Sequence, residues 1–434
     1  MRVLAKDIIT AAKEGAAEAE VSGWVHRVRE LGGIVFVIIR DRSGMVQLVL
    51  EEKPDFSLES VITARGKPTL NEKAPGGAEL RAASFTVLSR AAPDLPYQVN
   101  SDISKTGLEA ILDNRVLSLR NPKIRSIFRV QSTIAEAFAA YLRGQDFTEI
   151  KTSKLTAGST EGGTNLFAVD YFDRRLYLAQ SPQLYKEAMA ASGLERVFEI
   201  APVYRAEKHD TPRHLNEYVS LDLEMAFIES EQDLIEIEKG LLAHIFDAVA
   251  RKNGADLAAW GADVPAPENV ARAPTIGYEE ALRTANADNT AGGRIFEINP
   301  EAERLLSGWA EREYGIALLF VNEFPRRQRP FYTCPLEDTA GKTGLTMSFD
   351  AIFRGIEITS GSRRLHDYDA ARAALPKFGI REESMTAYLQ LLKYGCPPHG
   401  GFAIGLERLT QKILGLANVK EASLFPRDRR RVEP

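Results

Sequence analysis

The stretch RVFEIAPVYRAEKHDTPRHLNEYVSLDLEMAFIE (196–229) sets a charged loop between two extended runs. Arg205, Glu207, Lys208, Arg213 and His214 all fall in that loop. Planar guanidinium forks spaced along a polar loop suit a polyphosphate, which they can grip with paired hydrogen bonds. In TMSFDAIFRGIEITSGSRRLHDYD (346–369), Asp350 and Glu357 stand on either side of AIFRGI, and Ser360 follows. Two carboxylates and a hydroxyl on strands offer the oxygen ligands that Mg2+ prefers. Arg364, just beyond, can clamp a carboxylate. In PPHGGFAIGLERLTQKILG (397–415) a glycine-opened strand leads into a helix near Gly405, with Leu406, Glu407 and Arg408 in its first turn. Gly400, Gly401 and Gly405 would let a planar ligand approach the backbone closely. A helix N-terminus favours anions, so a cation there, Arg408, is better explained by an anionic ligand than by helix stability.

A fourth stretch, AQSPQLYKEAMAASG (179–193), reads as a short helix on which Gln183 and Lys186 share a face. Alone, such a lysine would be expected in solvent.

These groups need elements to position them. Along 219–228, Leu221, Leu223, Met225 and Phe227 alternate with Asp222 and Glu224. With 196–205 this predicts an antiparallel hairpin, one face packed and the other carrying charge. Leu234, Ile237, Leu241, Ile245 and Val249 recur at spacings of three and four, which predicts a long amphipathic helix. Residues 261–274, GADVPAPENVARAP, read as a surface loop. The first hundred residues have another texture. Runs in 20–50 break at Gly32-Gly33 and Ser43-Gly44, and 79–91 reads as a further strand. Short strands at this density predict a small barrel or sandwich. The expected organisation is therefore 1–100, a hinge over 101–125, and a second domain over 126–434.

An apolar fraction of 44% and a charged fraction of 26% are those of a globular protein. Cys334 and Cys396 form neither a disulfide framework nor a zinc spacing, which points to a reducing cytoplasm. The N-terminal residues carry no long apolar run, so no signal peptide or membrane span is expected. A net charge of −5 excludes a global basic footprint and leaves nucleic-acid contact to local patches. LEDTAGKTG (336–344) ends like a phosphate-binding loop but has Leu336 where the first glycine is required. KTSKL (151–155) has no His-Ile-Gly-His-like partner, and no histidine pair has metal-site spacing.

Taken together and in order, STEGGTNLF, QSPQLYK, YRAEKHDTPRHLNEY, FRGIEITSG, PPHGGFAIGLERL and LFPRDRRR resemble the class II aminoacyl-tRNA synthetases, specifically the aspartyl enzymes of the compact archaeal type. GWVHRVRELGGIVFVIIRDRSGMVQ is similar to that family's anticodon-binding OB-fold. The resemblance implies an α+β chain: an OB-fold β-barrel, then a catalytic antiparallel sheet flanked by helices. By position it makes Arg205, Glu357 and Arg408 catalytic. Arg205, Glu207, Arg213, His214, Leu215, Glu357, Gly405, Leu406, Glu407 and Arg408 would bind ATP. Glu357, Ser360 and Asp350 would place Mg2+. Glu161, Ser181, Gln183, Lys186, Arg205, Asp222, Ser360 and Arg364 would hold L-aspartate. A homodimer is implied, although Ser153 replaces the proline usual at the dimer interface.

The asparaginyl enzymes share this architecture and are the alternative. An ammonium at Lys186 and a planar fork at Arg364 favour a carboxylate and oppose an amide, whose NH2 they would meet donor to donor. Aspartate is therefore the expected substrate. For the tRNA, Phe36 is a candidate stacking platform, with Arg29 and Gln47 as candidate base readers. Arg27, Arg29, Arg40 and Arg42 are expected as a basic cluster. Whether tRNA(Asn) is charged besides tRNA(Asp) turns on the region of His26 and 75–85. The compact type often lacks strict discrimination, which points towards dual charging.

Overall fold

The computed structural model describes residues 2–52, 54–158, 166–290, 292–337 and 344–433. The chain divides into two compact units, Met1–Asn114 and Arg115–Pro434.

In the first unit, β1 (Ala19–Leu31), β2 (Ile34–Arg40), β3 (Met45–Leu50), β4 (Val61–Leu70) and β5 (Ala78–Ser89) form a closed barrel in the order β1-β2-β3-β5-β4. Alternation sends Val35, Val37 and Ile39 of β2 and Val46, Leu48 and Leu50 of β3 inside, leaving their neighbours on the outer face. The β1–β2 connection is Gly32-Gly33, with φ of 59° and 84°, and it pairs Leu31 with Ile34. Two consecutive positive φ values are what a tight two-residue hairpin turn demands. The sequence reading passed over β4, which closes the barrel between β1 and β5. The expected basic cluster loses Arg40. Its side chain points inward, 1% exposed, with Nη2 2.8 Å from Glu59 Oε2 and Nη1 2.8 Å from His26 Nδ1.

The segment 101–125, expected as a hinge, contains the short helices Ile103–Lys105, Leu108–Asp113 and Arg115–Ser118 and the start of Pro122–Arg143.

The second unit is built on eight strands. They are β6 (Thr148–Glu149), β10 (Arg196–Tyr204), β11 (Glu217–Ala226), β12 (Thr275–Gly277), β13 (Leu318–Asn322), β14 (Ser348–Phe353), β15 (Ile356–Arg363) and β16 (His399–Gly405). Their order is β12-β13-β14-β15-β16-β11-β10-β6. The interior pairs are antiparallel, and the two edge pairs, β12 with β13 and β10 with β6, are parallel. A small sheet of β7 (Leu155–Thr156), β9 (Arg174–Leu178) and β8 (Ala168–Tyr171) lies apart in the pairing.

Helices Pro122–Arg143 and Glu231–Trp260 bury their apolar faces in the main core with Phe198, Phe246, Phe349, Phe353 and Phe402, each fully buried. Each such ring contributes roughly 2–3 kcal/mol of burial. Leu234, Leu241, Ile245 and Val249 are fully buried, and Ile237 packs at the margin. Leu221, Leu223 and Met225 also enter this core, but Phe227 does not: it is 68% exposed, with φ 59°, where the chain leaves β11. The expected loop 261–274 contains the helix Pro267–Ala271, and Val270 and Ala273 are buried. Lys154, the lysine of KTSKL, is held by both oxygens of Glu199, at 3.0 and 3.1 Å. Among the described residues, no helix is long and apolar enough to cross a membrane.

Candidate active site

Strands β11, β15 and β16 are neighbours in the sheet, so residues far apart in sequence share one face. Over that face, capped by the helix Gln183–Met189 and the loop between β10 and β11, lies a cavity of about 290 Å³. It is lined by Ser181, Gln183, Lys186, Arg205, Glu207, Arg213, His214, Leu215, Asp222, Glu357, Ser360, Arg364, Gly405, Glu407 and Arg408. Arg329, Tyr332 and Tyr218 line it as well.

One end is buried. Lys186 is 2% exposed; its Nζ donates to Asp222 Oδ1 at 3.0 Å and to Phe402 O at 3.2 Å, and lies 3.6 Å from Glu224 Oε2. Asp222 and Glu224 project from β11 opposite Ala403 and Gly401 of β16. The charged face of the hairpin is therefore interior, not solvated. Arg364 grips Glu224 with Nε at 3.0 Å and Nη2 at 3.2 Å, and also donates to Ser362 Oγ and Gly401 O. Burial opposes its charge, but Glu224 more than offsets this and holds the guanidinium pKa up. A Cβ at Gly401 would collide with the Leu223 carbonyl and the Glu224 carboxylate. This glycine makes room for the protein's own carboxylate, not for a planar ligand. Among the described residues Asp222 Oδ2 is buried without a hydrogen-bond partner and has an acceptor to offer.

The other end is open and looser. Asn216 laces the β10–β11 loop: its Nδ2 donates to the carbonyls of Arg205 and Glu207, and its O accepts from Arg205 N. Arg205 stacks 5.8 Å from the Tyr218 ring. Arg213 pairs with Glu303 from the helix Pro300–Tyr314. His214 Nδ1 lies 2.6 Å from Thr211 Oγ1; burial, then the nearby Arg408 guanidinium, lower its pKa and favour the neutral ring. Arg408 Nη1 donates to Glu357 O at 3.1 Å and lies 3.7 Å from Glu357 Oε1. Both Glu407 oxygens lie 3.1 Å from Val219 N, and burial pushes this carboxyl up to about 7.

Two expectations need correction. Leu406 packs in the core, 5% exposed, because it begins the helix Leu406–Leu414 on its inner side. Asp350 is opposite Ser360 in the sheet, but its Oδ1 lies 2.8 Å from Arg329 Nη2, and Arg329 Nη1 donates to Ser360 Oγ at 2.9 Å. Arg329 thus takes the place expected of a metal ion on Asp350. Burial pushes Asp350 up to about 7, with Arg329 opposing and Glu357 adding to the shift. Among the described residues, no cluster of three or more His, Cys, Asp or Glu could hold a metal. Glu357 and Ser360 still face the cavity with oxygen donors, which fits an Mg2+ completed by phosphates and water. Glu161 lies outside the described residues, as do 338–343 of the loop-like LEDTAGKTG. Asn216, Glu303 and Arg329 have no signal in the sequence, and Glu224 is legible there only as part of the charged face of the hairpin, not as a site residue.

In the barrel, Arg29 pairs directly with Phe36 across β1 and β2, and Gln47 pairs with Ile38, two residues along the same outer face. Phe36 is part-exposed on that face rather than a core residue. Gln47 Nε2 donates to Glu79 Oε2 at 3.0 Å.

Residues 107–429 match the tRNA synthetases class II (D, K and N), and residues 19–88 match the OB-fold nucleic acid binding domain. The chain is 44% identical to the aspartate–tRNA(Asp/Asn) ligase of Thermus thermophilus, over all of both chains. It is 38% identical to the aspartate–tRNA(Asp) ligase of Pyrococcus furiosus, covering 96% of each. Among solved structures it resembles the asparaginyl-tRNA synthetase of Pyrococcus horikoshii complexed with asparaginyl-adenylate, with a TM-score of 0.91 and 28% identity over all of both chains. The aspartyl tRNA synthetase of Entamoeba histolytica gives a TM-score of 0.82 and 28% identity, covering 98% of this chain and 92% of that one.

Proposed function

The chain belongs to the class II tRNA synthetases of the aspartate, lysine and asparagine group, and from that premise we propose that it is an aspartate–tRNA ligase. The observation that carries the choice of aspartate is the pair of buried cations, Lys186 and Arg364, at the closed end of the cavity. Their donors suit a side-chain carboxylate and leave an amide NH2 facing N–H groups. The α-ammonium finds acceptors in Asp222 Oδ2 and Gln183, with Ser181 beside them. The backbone fold does not make this choice, since an asparaginyl enzyme superposes closely.

At the open end, Arg205, Arg213 and Arg408 neutralise the phosphates of ATP, with His214 and Glu207 on the loop and Leu215 and Gly405 in the wall. An aspartate α-carboxylate oxygen attacks the α-phosphorus in line, the bond to the bridging oxygen breaks, and pyrophosphate leaves. A carboxylate nucleophile needs no general base at neutral pH. Arg205, between the two ends, bridges the α-carboxylate and the α-phosphate. Mg2+ held by Glu357 and Ser360 would draw off phosphate charge. The 3′-terminal hydroxyl of tRNA then attacks the carbonyl carbon, and AMP leaves. Arg29, Phe36 and Gln47 form the anticodon-reading face, with Phe36 as the stacking platform. The greater identity to a ligase named for both acceptors supports tRNA(Asn) as a second substrate besides tRNA(Asp). The reading includes a homodimer working in the cytoplasm.

Pyrophosphate exchange with each amino acid tests it first: exchange with asparagine and none with aspartate would refute aspartate as substrate. Aspartylation of tRNA(Asp) and tRNA(Asn) transcripts side by side tests the acceptors, and gel filtration the dimer.

A further inference from the structure

Behind the amino-acid end lies a buried polar cluster that the reaction does not itself require. Glu187, the residue after Lys186, is 0% exposed and surrounded by donors. Gln183 Nε2 donates to its Oε1 at 2.8 Å, Tyr388 OH donates to its Oε2 at 3.1 Å, and His399 Nε2 lies 3.2 Å from Oε2. The other ring nitrogen of His399 lies 2.9 Å from Pro397 O. An oxygen acceptor stands at each nitrogen, with Cys396 Sγ also 3.5 Å from Nδ1, and this arrangement favours a ring protonated on both nitrogens, an imidazolium. His399 is 0% exposed, so Glu187 and His399 are a buried ion pair. Burial opposes both charges; the contact with Cys396 and then the hydrogen bond to Glu187 hold the His399 pKa well up, and the His399 hydrogen bond holds the Glu187 pKa down.

An ionised Glu187 can only accept. The Gln183 amide must therefore turn its NH2 towards Glu187, and its oxygen is left facing Arg364, 3.4 Å from Nη2, and the cavity. Arg364 favours the same orientation with a long contact, and Glu187 fixes it from the other side with the shorter one. We propose that Glu187 and His399 are positioning residues that lock the Gln183 amide with its oxygen towards the substrate, so that this end of the cavity accepts an α-ammonium group. The inference rests on the ligase reading and extends it to residues that touch no substrate.

The test is pyrophosphate exchange by the full-length enzyme carrying Glu187→Gln. A glutamine at 187 can donate to Gln183 as well as accept, so the lock is lost. The aspartate KM is expected to rise about tenfold or more, the equivalent of one hydrogen bond turned unfavourable, while the ATP KM stays within about twofold. The same substitution is then made in a Gln183→Met background. Methionine has no amide to orient, so Glu187→Gln should there change the aspartate KM less than about threefold. An unchanged aspartate KM overturns the proposal. So does a parallel rise in both KM values, or an undiminished effect in the Gln183→Met background. Should Glu187→Gln fail to fold, His399→Gln is read in the same assay: a rise in aspartate KM alone supports the lock, and an unchanged or parallel response overturns it. If the wild type exchanges with a different amino acid, the ligase reading changes but the KM split is read with that amino acid. No exchange with any amino acid overturns both.

Discussion

The two ends of the cavity use the same residue types in opposite ways. At the amino-acid end, Lys186, Asp222, Glu224 and Arg364 are each at most 5% exposed and bound to one another. At the nucleotide end, the Arg213, Arg408, His214 and Glu357 side chains are 22–38% exposed and make longer or single contacts. A buried charge is tolerable only with partners fixed in advance, which on the ligase reading makes the closed end the one suited to select between near-isosteres. Partly exposed arginines keep some of their solvation and, on the ligase reading, can settle around the incoming polyphosphate.

The strongest way to break this contrast is Lys186→Leu. It leaves Asp222 and Glu224 without their shared cation, a loss of about 3–5 kcal/mol. The aspartate kcat/KM in pyrophosphate exchange should fall by about a thousandfold, with the ATP KM nearly unchanged. Near-normal aspartate kinetics would show that the closed end does not select the substrate.

Glu238 asks whether burial alone makes the difference. It is 0% exposed like Glu224, but among the described residues its Oε1 accepts from Thr359 Oγ1, at 2.6 Å, and Oε2 has no hydrogen-bond partner. Burial pushes its pKa from 4.5 up to about 8. Between those values the folded protein holds a proton that the unfolded chain has released, so stability falls as pH rises from about 5 to 8. Glu238→Gln carries no such proton. Its stability relative to wild type should rise across that window by ~2 kcal/mol or more, as read by denaturant unfolding at each pH. A constant difference would mean that Glu238 is ionised throughout.

Arg408→Ala probes the open end. Its effect should fall on ATP, with a KM increase of about tenfold, as for a charge-assisted contact, and little change in aspartate KM or thermal stability. A comparable loss for aspartate would erase the division between the ends.

The barrel should be separate from both. Phe36→Ala should leave pyrophosphate exchange untouched and raise the tRNA KM by about five- to tenfold, the lower range for one stacked base. Gln47→Ala should do less, because Gln47 is partly engaged by Glu79.

Much of this site is legible along the chain. The spacing of Arg205, Glu207 and Arg213, the glycine-opened entry to Arg408, and Lys186 following Gln183 on one helical face are local patterns, and all line the cavity. Partners were not legible. The alternation around Asp222 and Glu224 predicts a charged face but not that β16 covers it, and the same alternation carried Phe227 onto a face it leaves. Arg40 reads as one of four basic residues and is instead the barrel's buried cation. Asp350 reads as a metal ligand until Arg329 is found on it.

By itself the sequence determined the hairpin, the long helix and most barrel strands, the order of barrel before catalytic sheet and the identity of the charged groups, because strand alternation, helical spacing and turn glycines act over a few residues. It also carried Lys186, the group most suited to separating aspartate from asparagine. The tertiary structure decided which charges are buried and which carboxylate answers which cation. Those outcomes depend on sheet register and on contacts between residues far apart in the chain, such as the 212 positions between Glu187 and His399, where electrostatic energy depends on distance and solvent access rather than on order in the chain.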